Sequence, residues 1–85
     1  MQKLVLYTIQ GCPYCAAARD LLNTNKIGYE EVDITSDSSN WRDKLQKMSG
    51  GERSVPQVYI GGKYMGQDDE LKELIESKKI FEMIM

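Results

Sequence analysis

The stretch LVLYTIQGCPYCAAARDLL, residues 4–22, predicts a strand, a turn and a helix in direct succession. Its apolar beginning is typical of a buried strand, and Gly11 marks the turn. Pro13 suits the first position of a helix, where its missing N–H costs nothing, and the alanine- and leucine-rich remainder favours a helix. The junction between this strand and this helix carries the cysteines of the chain, Cys12 and Cys15.

Apolar periodicity and turn signals predict the elements that follow this stretch. They are a strand over 30–34, a helix that begins among 36–39 and ends near 49–51, a hairpin of strands 57–60 and 63–65, a helix from 68, and a short apolar helix or turn over 80–85. The order β-α-β-α-β-β-α predicts one α/β domain over residues 1–85, with a four-stranded mixed sheet flanked by helices. Open sheets of this kind bind ligands at the carboxyl ends of their parallel strands, where Cys12 lies.

The composition indicates an ordinary globular domain. The 85 residues carry 11 basic and 13 acidic side chains, so the net charge is −2, and 41% of the residues are hydrophobic. A nucleic-acid-binding domain would usually be basic, and no apolar run approaches the roughly 18 residues of a membrane span. The apolar stretch after Lys3 is too short for a signal peptide. We therefore expect a cytoplasmic protein without nucleic-acid or membrane partners.

The chain has two cysteines and no histidine, which excludes several kinds of site. One copy cannot supply the four ligands of a zinc site, so no metal is expected. Covalent haem attachment would need a histidine where Ala16 stands. Catalytic sites that use a Cys-His or Ser-His pair lack their base. A C-x-x-C pair used for redox exchange is the leading interpretation, and a structural clip or two inert thiols is the alternative.

The position of the two thiols predicts different roles for them. Cys12 falls at the N-cap of the helix, where the unpaired N–H groups and the helix dipole favour a negative charge. Helix N-termini lower the pKa of thiols, and the thiolate is the reactive form. Cys15 lies nearly one turn further on and is expected to be less exposed. Cys12 is therefore the predicted nucleophile and Cys15 the predicted resolving thiol.

Three separated motifs resemble those of dithiol glutaredoxins, and the resemblance covers essentially the whole chain. Cys12-Pro13-Tyr14-Cys15 is similar to the active site of that family, Ser54-Val55-Pro56 to its Thr-Val-Pro segment, and Gly66-Gln67-Asp68-Asp69 to its Gly-Gly-x-Asp-Asp segment. The size and the order of elements resemble small bacterial glutaredoxins of the glutaredoxin 3 type. The resemblance implies a thioredoxin-like fold and glutathione as the reductant.

The resemblance also implies which residues bind glutathione. A cis bond before Pro56 would turn the backbone of Val55 outward, where an extended peptide can pair with it, and Tyr14 would form one wall of the groove. Gly66 belongs to the same implied set, and contacts at Ser54 and Met65 would be made mainly by the backbone.

At the last helix, the resemblance implies a site for the γ-glutamyl end of glutathione. The N–H groups of Gln67 and Asp68 would hold its carboxylate, and Asp68 or Asp69 would pair with its amine. The alternative interpretation is that Asp68 and Asp69 only cap the helix.

The chain departs from the family at the expected partner of the glycyl carboxylate. Many relatives have a basic residue where Ile9 stands, so the base must come from elsewhere. Arg53 is the predicted replacement and Arg42 a weaker candidate. Met65 and Ser54 replace a Gly and a Thr of the family motifs.

The leading functional hypothesis is a monomeric glutathione-dependent oxidoreductase that reduces protein disulfides and glutathione mixed disulfides. Ribonucleotide reductase is one candidate substrate by resemblance. Two alternatives stay open at this point: a thioredoxin-like protein reduced by a flavoprotein, and an iron–sulfur carrier in which two subunits and two glutathiones hold a cluster through Cys12. Pro13 tells against the carrier, because relatives that bind clusters usually have a small residue there.

Overall fold

A computed structural model describes residues 2–84 of the chain. Its strands and helices are β1 (Leu4–Thr8), α1 (Pro13–Thr24), β2 (Glu30–Asp33), α2 (Ser38–Ser49), β3 (Gln57–Ile60), β4 (Lys63–Gly66), α3 (Asp68–Glu76) and α4 (Lys79–Ile84). The predicted order β-α-β-α-β-β-α is confirmed, and α4 covers the last predicted segment; Met85 lies outside the described residues. A 3-10 turn at Thr35–Asp37 precedes α2, so β2 ends earlier than predicted.

The four strands form one mixed sheet in the order β2-β1-β3-β4. β1 pairs with β2 in parallel and with β3 antiparallel, and β4 completes the antiparallel hairpin. Tyr7 near the end of β1 lies opposite Gln57 at the start of β3, and Gly66 at the end of β4 lies opposite Val58. Because of this register, the segment after β1, the segment before β3 and the segment after β4 meet at one edge of the sheet.

The two faces of the sheet bury separate clusters of apolar side chains. On one face, helices α1, α3 and α4 cover a cluster of Leu4, Leu6, Ala18, Leu22, Ile27, Val58, Ile60, Leu71, Ile75 and Ile80. The other face carries a smaller cluster of Ile34, Leu45 and Tyr59, with Trp41 packed against it. The first cluster fixes α1 and α3, whose N-termini both point to the edge where the three segments meet.

Trp41, Leu45 and Met48 are apolar at i, i+4 and i+7 of α2, a spacing that predicts a stripe facing the core. This prediction is wrong at its last residue. Leu45 is fully buried and Trp41 is partly buried, but Met48 is 48% exposed. Met48 lies in the last turn of α2, beyond the part of the helix that packs on the Ile34–Leu45–Tyr59 cluster. Within residues 2–84, no helix combines the length and the apolar character that crossing a bilayer requires.

Candidate active site

The two thiols lie at the N-terminus of α1. Cys12 is the N-cap residue and Pro13 occupies the first turn, as the sequence predicts. The Cys12 Sγ accepts a hydrogen bond of 3.1 Å from the backbone N–H of Cys15. Both cysteines are free; Cys12 is partly exposed and Cys15 is fully buried. The hydrogen bond joins the Cys12 sulfur to the first turn of α1.

The surroundings of Cys15 keep its thiol protonated. Burial, and to a smaller extent the contact with the Cys12 side chain, raise the pKa of the Cys15 thiol to about 12, although the backbone of Ile9 and the charge of Arg19 act against the shift. At neutral pH, Cys15 is therefore a protonated thiol without access to solvent. Only Cys12 is open to a partner from solution.

A groove of about 340 Å³ lies beside the segment that carries these thiols; Tyr14 of that segment lines the groove and neither cysteine does. It is lined by Tyr14, Ser54, Val55, Pro56, Gln67, Asp68 and Asp69. All of these residues belong to the predicted glutathione-binding set, although they come from three segments that are far apart in sequence. The edge of the sheet brings them together because β1, β3 and β4 end or begin there. Tyr14 is 66% exposed and forms the rim of the groove.

The segment Ser54-Val55-Pro56 forms one side of the groove. The Val55-Pro56 bond is cis. Within residues 2–84, neither backbone group of Val55 has a hydrogen-bond partner. Glu52, which the sequence analysis missed, accepts hydrogen bonds from the Ser54 N–H at 3.2 Å and from the Ser54 hydroxyl at 2.7 Å, and these bonds lower the pKa of the Glu52 carboxyl. A carboxylate therefore supports this side of the groove.

The N-terminus of α3 forms the other side and differs from the prediction. Gln67 is the N-cap residue, whereas Asp68 and Asp69 occupy the first two helical positions and do not cap the helix. The Gln67 N–H, a predicted ligand donor, already donates to Glu70 Oε1 at 2.7 Å. The spacing Gln-x-x-Glu could have revealed this contact, because a Glu or Gln three residues after the N-cap is typical of a capping box. The Gln67 side chain donates to both oxygens of Ser54 and so joins the two sides of the groove.

Of the nine residues predicted to bind glutathione, Arg53 and Gly66 do not line the groove. Arg53 turns toward α2, where it donates to Asp43 at 2.7 Å and to Gln46 at 2.8 Å. Gly66 is buried under α3, with the side chain of Glu70 filling the space where a Cβ would lie.

The weaker basic candidate lies on α2. Arg42 donates to the backbone carbonyl of Arg53 at 3.0 Å, and neither arginine is among the residues that line the groove. Within residues 2–84, no group of three or more His, Cys, Asp or Glu side chains is placed to hold a metal ion.

Comparisons with known proteins give one consistent result. A family model described as Glutaredoxin matches residues 4–65. The chain is 30% identical over 84 residues to Glutaredoxin 1 of Rickettsia conorii, which covers 99% of this chain and 82% of that protein. It is similar in structure to a buckwheat glutaredoxin–glutathione complex, with a TM-score of 0.87, 28% identity and coverage of 98% of this chain and 76% of that one. It is also similar to oxidized glutaredoxin 2 from Chlamydomonas reinhardtii, with a TM-score of 0.84 and 30% identity. This match covers 98% of this chain and 79% of that one.

Proposed function

The chain belongs to the glutaredoxin family of thiol oxidoreductases, and from this premise we propose that it reduces disulfides with glutathione, with Cys12 as the nucleophile and Cys15 as the resolving thiol. The observation that carries the proposal is the groove beside the Cys12–Cys15 segment, because its seven lining residues all belong to the predicted glutathione set. Groove volumes of about 300 Å³ and more are typical of small-molecule sites.

With a glutathione mixed disulfide, the proposed reaction needs only Cys12. Its thiolate attacks the glutathione sulfur, the disulfide bond breaks, and the substrate leaves as a thiolate that takes up a proton. Cys12 is left joined to glutathione. A second glutathione, as its thiolate, then attacks the sulfur of the bound glutathione, which releases oxidised glutathione and restores the Cys12 thiolate.

With a protein disulfide, the proposed reaction also uses Cys15. Cys12 forms a mixed disulfide with the substrate, and Cys15 then attacks Cys12 Sγ, which releases the reduced substrate and leaves a Cys12–Cys15 disulfide that two glutathiones reduce. The contact with Cys12 helps to hold the proton on Cys15. Once the Cys12 sulfur is in a disulfide it carries no charge, so this obstacle to deprotonation of Cys15 disappears.

The charges of the groove suit the γ-glutamyl end of glutathione, which carries both an amine and a carboxylate. Asp68 and Asp69 offer carboxylates to the amine, and the first N–H groups of α3 offer donors to the carboxylate. The N–H of Asp68 is the proposed donor, and the N–H of Gln67 becomes available only where Glu70 releases it. The unpaired backbone of Val55 is the proposed partner for the cysteinyl residue, as in the addition of a strand to a sheet edge.

We propose Arg53 as the partner of the glycyl carboxylate, with Arg42 as the second candidate. Arg53 would have to release Asp43, whereas Arg42 has no ion pair among the described residues. Exposed charge pairs contribute below about 1 kcal/mol, so Arg53→Ala should raise the KM for glutathione a few-fold, and Ile9→Lys should restore part of the loss. An increase of KM in Arg42→Ala alone would assign the role to Arg42.

The remaining parts of the proposal concern the cell. The proposed protein substrates are disulfide-containing or glutathionylated proteins, among which ribonucleotide reductase is one candidate. Two free thiols, of which Cys12 is partly exposed, suit a reducing compartment, and we propose a cytoplasmic monomer. A Cys15→Ser variant should retain substrates as mixed disulfides on Cys12 for identification.

A coupled assay tests the proposed function. NADPH oxidation is measured with a glutathione mixed disulfide as substrate, in one series with glutathione and glutathione reductase and in another with thioredoxin reductase. The proposal predicts turnover in the first series and little in the second. Efficient turnover with thioredoxin reductase and none with glutathione would reject it in favour of a thioredoxin-like function.

A further inference from the structure

The loop between β1 and α1 is anchored to the segment that follows β2. The backbone N–H of Gln10 donates to Thr35 Oγ1 at 2.8 Å. The Thr35 hydroxyl donates a hydrogen bond to Asp33 Oδ1, and the Thr35 N–H donates to the same oxygen at 2.9 Å. With its proton directed at Asp33, the hydroxyl presents a lone pair to Gln10. Asp33 therefore orients Thr35 as a hydrogen-bond acceptor for the loop.

The anchor is itself held in place. The N–H of Ile34 donates to the carbonyl of Thr8 at 2.8 Å, which continues the contact of β1 and β2 beyond the end of β2. The hydrogen bonds from Thr35 lower the pKa of the Asp33 carboxyl, with smaller contributions from Gln10 and Arg19. Asp33 is thus an ionised acceptor at neutral pH.

Only one residue separates this anchor from the nucleophile. Gly11 lies between Gln10 and Cys12, with a φ of +72° and no atom within 4 Å of the place where a Cβ would lie. Glycine adopts such a conformation without strain, and it is the residue type with the greatest backbone freedom. Packing around Gly11 therefore does not restrain the loop, and the hydrogen bond from the Gln10 N–H to Thr35 is a contact that fixes the loop next to Cys12.

We propose that Asp33 and Thr35 are positioning residues, which hold the Gln10–Gly11 loop so that Cys12 Sγ stays aligned with the N-terminus of α1. The alignment in question is the 3.1 Å contact between Cys12 Sγ and the Cys15 N–H. The proposal deepens the proposed function, since it assigns residues that prepare the proposed nucleophile. A purely structural role is the competing explanation, because Thr35 also begins the 3-10 turn before α2 and Asp33 accepts its hydrogen bonds.

Alkylation of Cys12 by iodoacetamide tests this proposal without glutathione, so its outcome is independent of the coupled assay. In Thr35→Val the side chain keeps its shape and loses the acceptor for Gln10. One hydrogen bond of this kind corresponds to about a two- to tenfold effect, so the alkylation rate at pH 6 should fall by about that factor. The pH of half-maximal rate should rise. Thr35→Ser keeps the hydroxyl and should restore both values.

Ser36→Ala is the matched control, because Ser36 is the exposed neighbour of Thr35 and lines the same surface depression. It should react like the wild type. Asp33→Asn keeps an acceptor for Thr35 and should also react normally, whereas Asp33→Ala should behave like Thr35→Val; this second pair decides the question where Thr35→Val does not fold. A wild-type rate and pH profile in Thr35→Val and Asp33→Ala, or equal losses in Thr35→Ser and Thr35→Val, would overturn the proposal.

Discussion

At the scale of single residues, the site depends on how unlike two neighbouring cysteines are. Cys12 is partly exposed and accepts a backbone N–H, whereas Cys15 is fully buried and its pKa is raised to about 12. The same helix turn provides both environments, since the N-cap faces solvent and the third residue of α1 faces the core. At neutral pH, a reagent or substrate can therefore reach the thiol of Cys12 but not that of Cys15.

The groove contains two carboxylates, those of Asp68 and Asp69, that single substitutions can remove. Asp68→Asn and Asp69→Asn each remove one negative charge from the first turn of α3. If one of these carboxylates binds the glutathione amine, its loss should raise the KM for glutathione about ten- to hundredfold, the range of a charge-assisted hydrogen bond of about 1.5–3 kcal/mol. That variant should also discriminate less between glutathione and cysteamine. The melting temperature should change little, because Gln67 and Glu70 cap the helix and a charge near the dipole contributes only about 0.3–1 kcal/mol.

Glu73→Gln is the control for these variants, because it removes a charge from the same helix at a residue that does not line the groove. Its KM for glutathione should stay at the wild-type value. Wild-type KM values in both aspartate variants would mean that the pair only complements the helix dipole.

At the scale of elements, the junction between β4 and α3 sets the position of one side of the groove. Gly66 has a φ of +111°, and a Cβ there would collide with the Cβ and Cγ of Glu70. Glu70 is in turn the residue that binds the Gln67 N–H. The absence of a side chain at Gly66 thus allows the turn in which α3 begins.

Gly66→Ala should therefore both destabilise the fold and damage the groove. A residue other than glycine in so strained a conformation costs about 1–3 kcal/mol, and the collision with Glu70 adds to that cost. Urea unfolding should show the loss of stability, and the KM for glutathione should rise because the start of α3 is displaced. Gly28→Ala is the matched control, since no atom lies within 4 Å of its Cβ position and its φ is not in the left-handed region. Equal stability of the two variants would contradict this account of the junction.

At the scale of the whole molecule, two buried acidic groups link stability to alkaline pH. Burial raises the pKa of Tyr59 from 10.0 to about 12, with contributions from Tyr64 and Tyr7, and the pKa of Cys15 from 9.0 to about 12. Both groups are neutral in the folded protein over a range in which the unfolded chain ionises. Folding stability is therefore fully present below about pH 9 and is lost as the pH rises from about 9 toward about 12.

Urea unfolding of the reduced protein at several pH values measures this loss. The free energy of unfolding should be the same at pH 7 and pH 8 and should fall steadily above pH 9. Tyr59→Phe removes one of the two groups, and its stability should depend less steeply on pH above 10, whatever its stability at pH 7. A constant free energy of unfolding up to pH 11 would show that neither group is linked to folding.

The sequence predicts the order of elements and the edge of the sheet where the site lies, because periodicity and turn residues are local signals. It does not predict which hydrogen-bond or ion-pair partner a long side chain binds. Arg53 binds Asp43 on α2 and not the groove, since the two come close only once α2 packs on the sheet. The spacing of Gln67 and Glu70 in the sequence indicates their contact. That Glu70 competes with a ligand carboxylate for the Gln67 N–H follows only from the position of the groove. The exposure of Met48 likewise depends on where α2 leaves the core.

Intact-mass spectrometry of the Cys15→Ser variant shows whether Cys12 exchanges glutathione by itself. Incubation with oxidised glutathione at pH 7 should add one glutathione, peptide mapping should place it on Cys12, and reduced glutathione should remove it. Cys12→Ser, treated in the same way, should stay unmodified because Cys15 is buried and protonated. An unmodified Cys15→Ser variant, or equally fast modification of Cys15 in Cys12→Ser, would contradict the account.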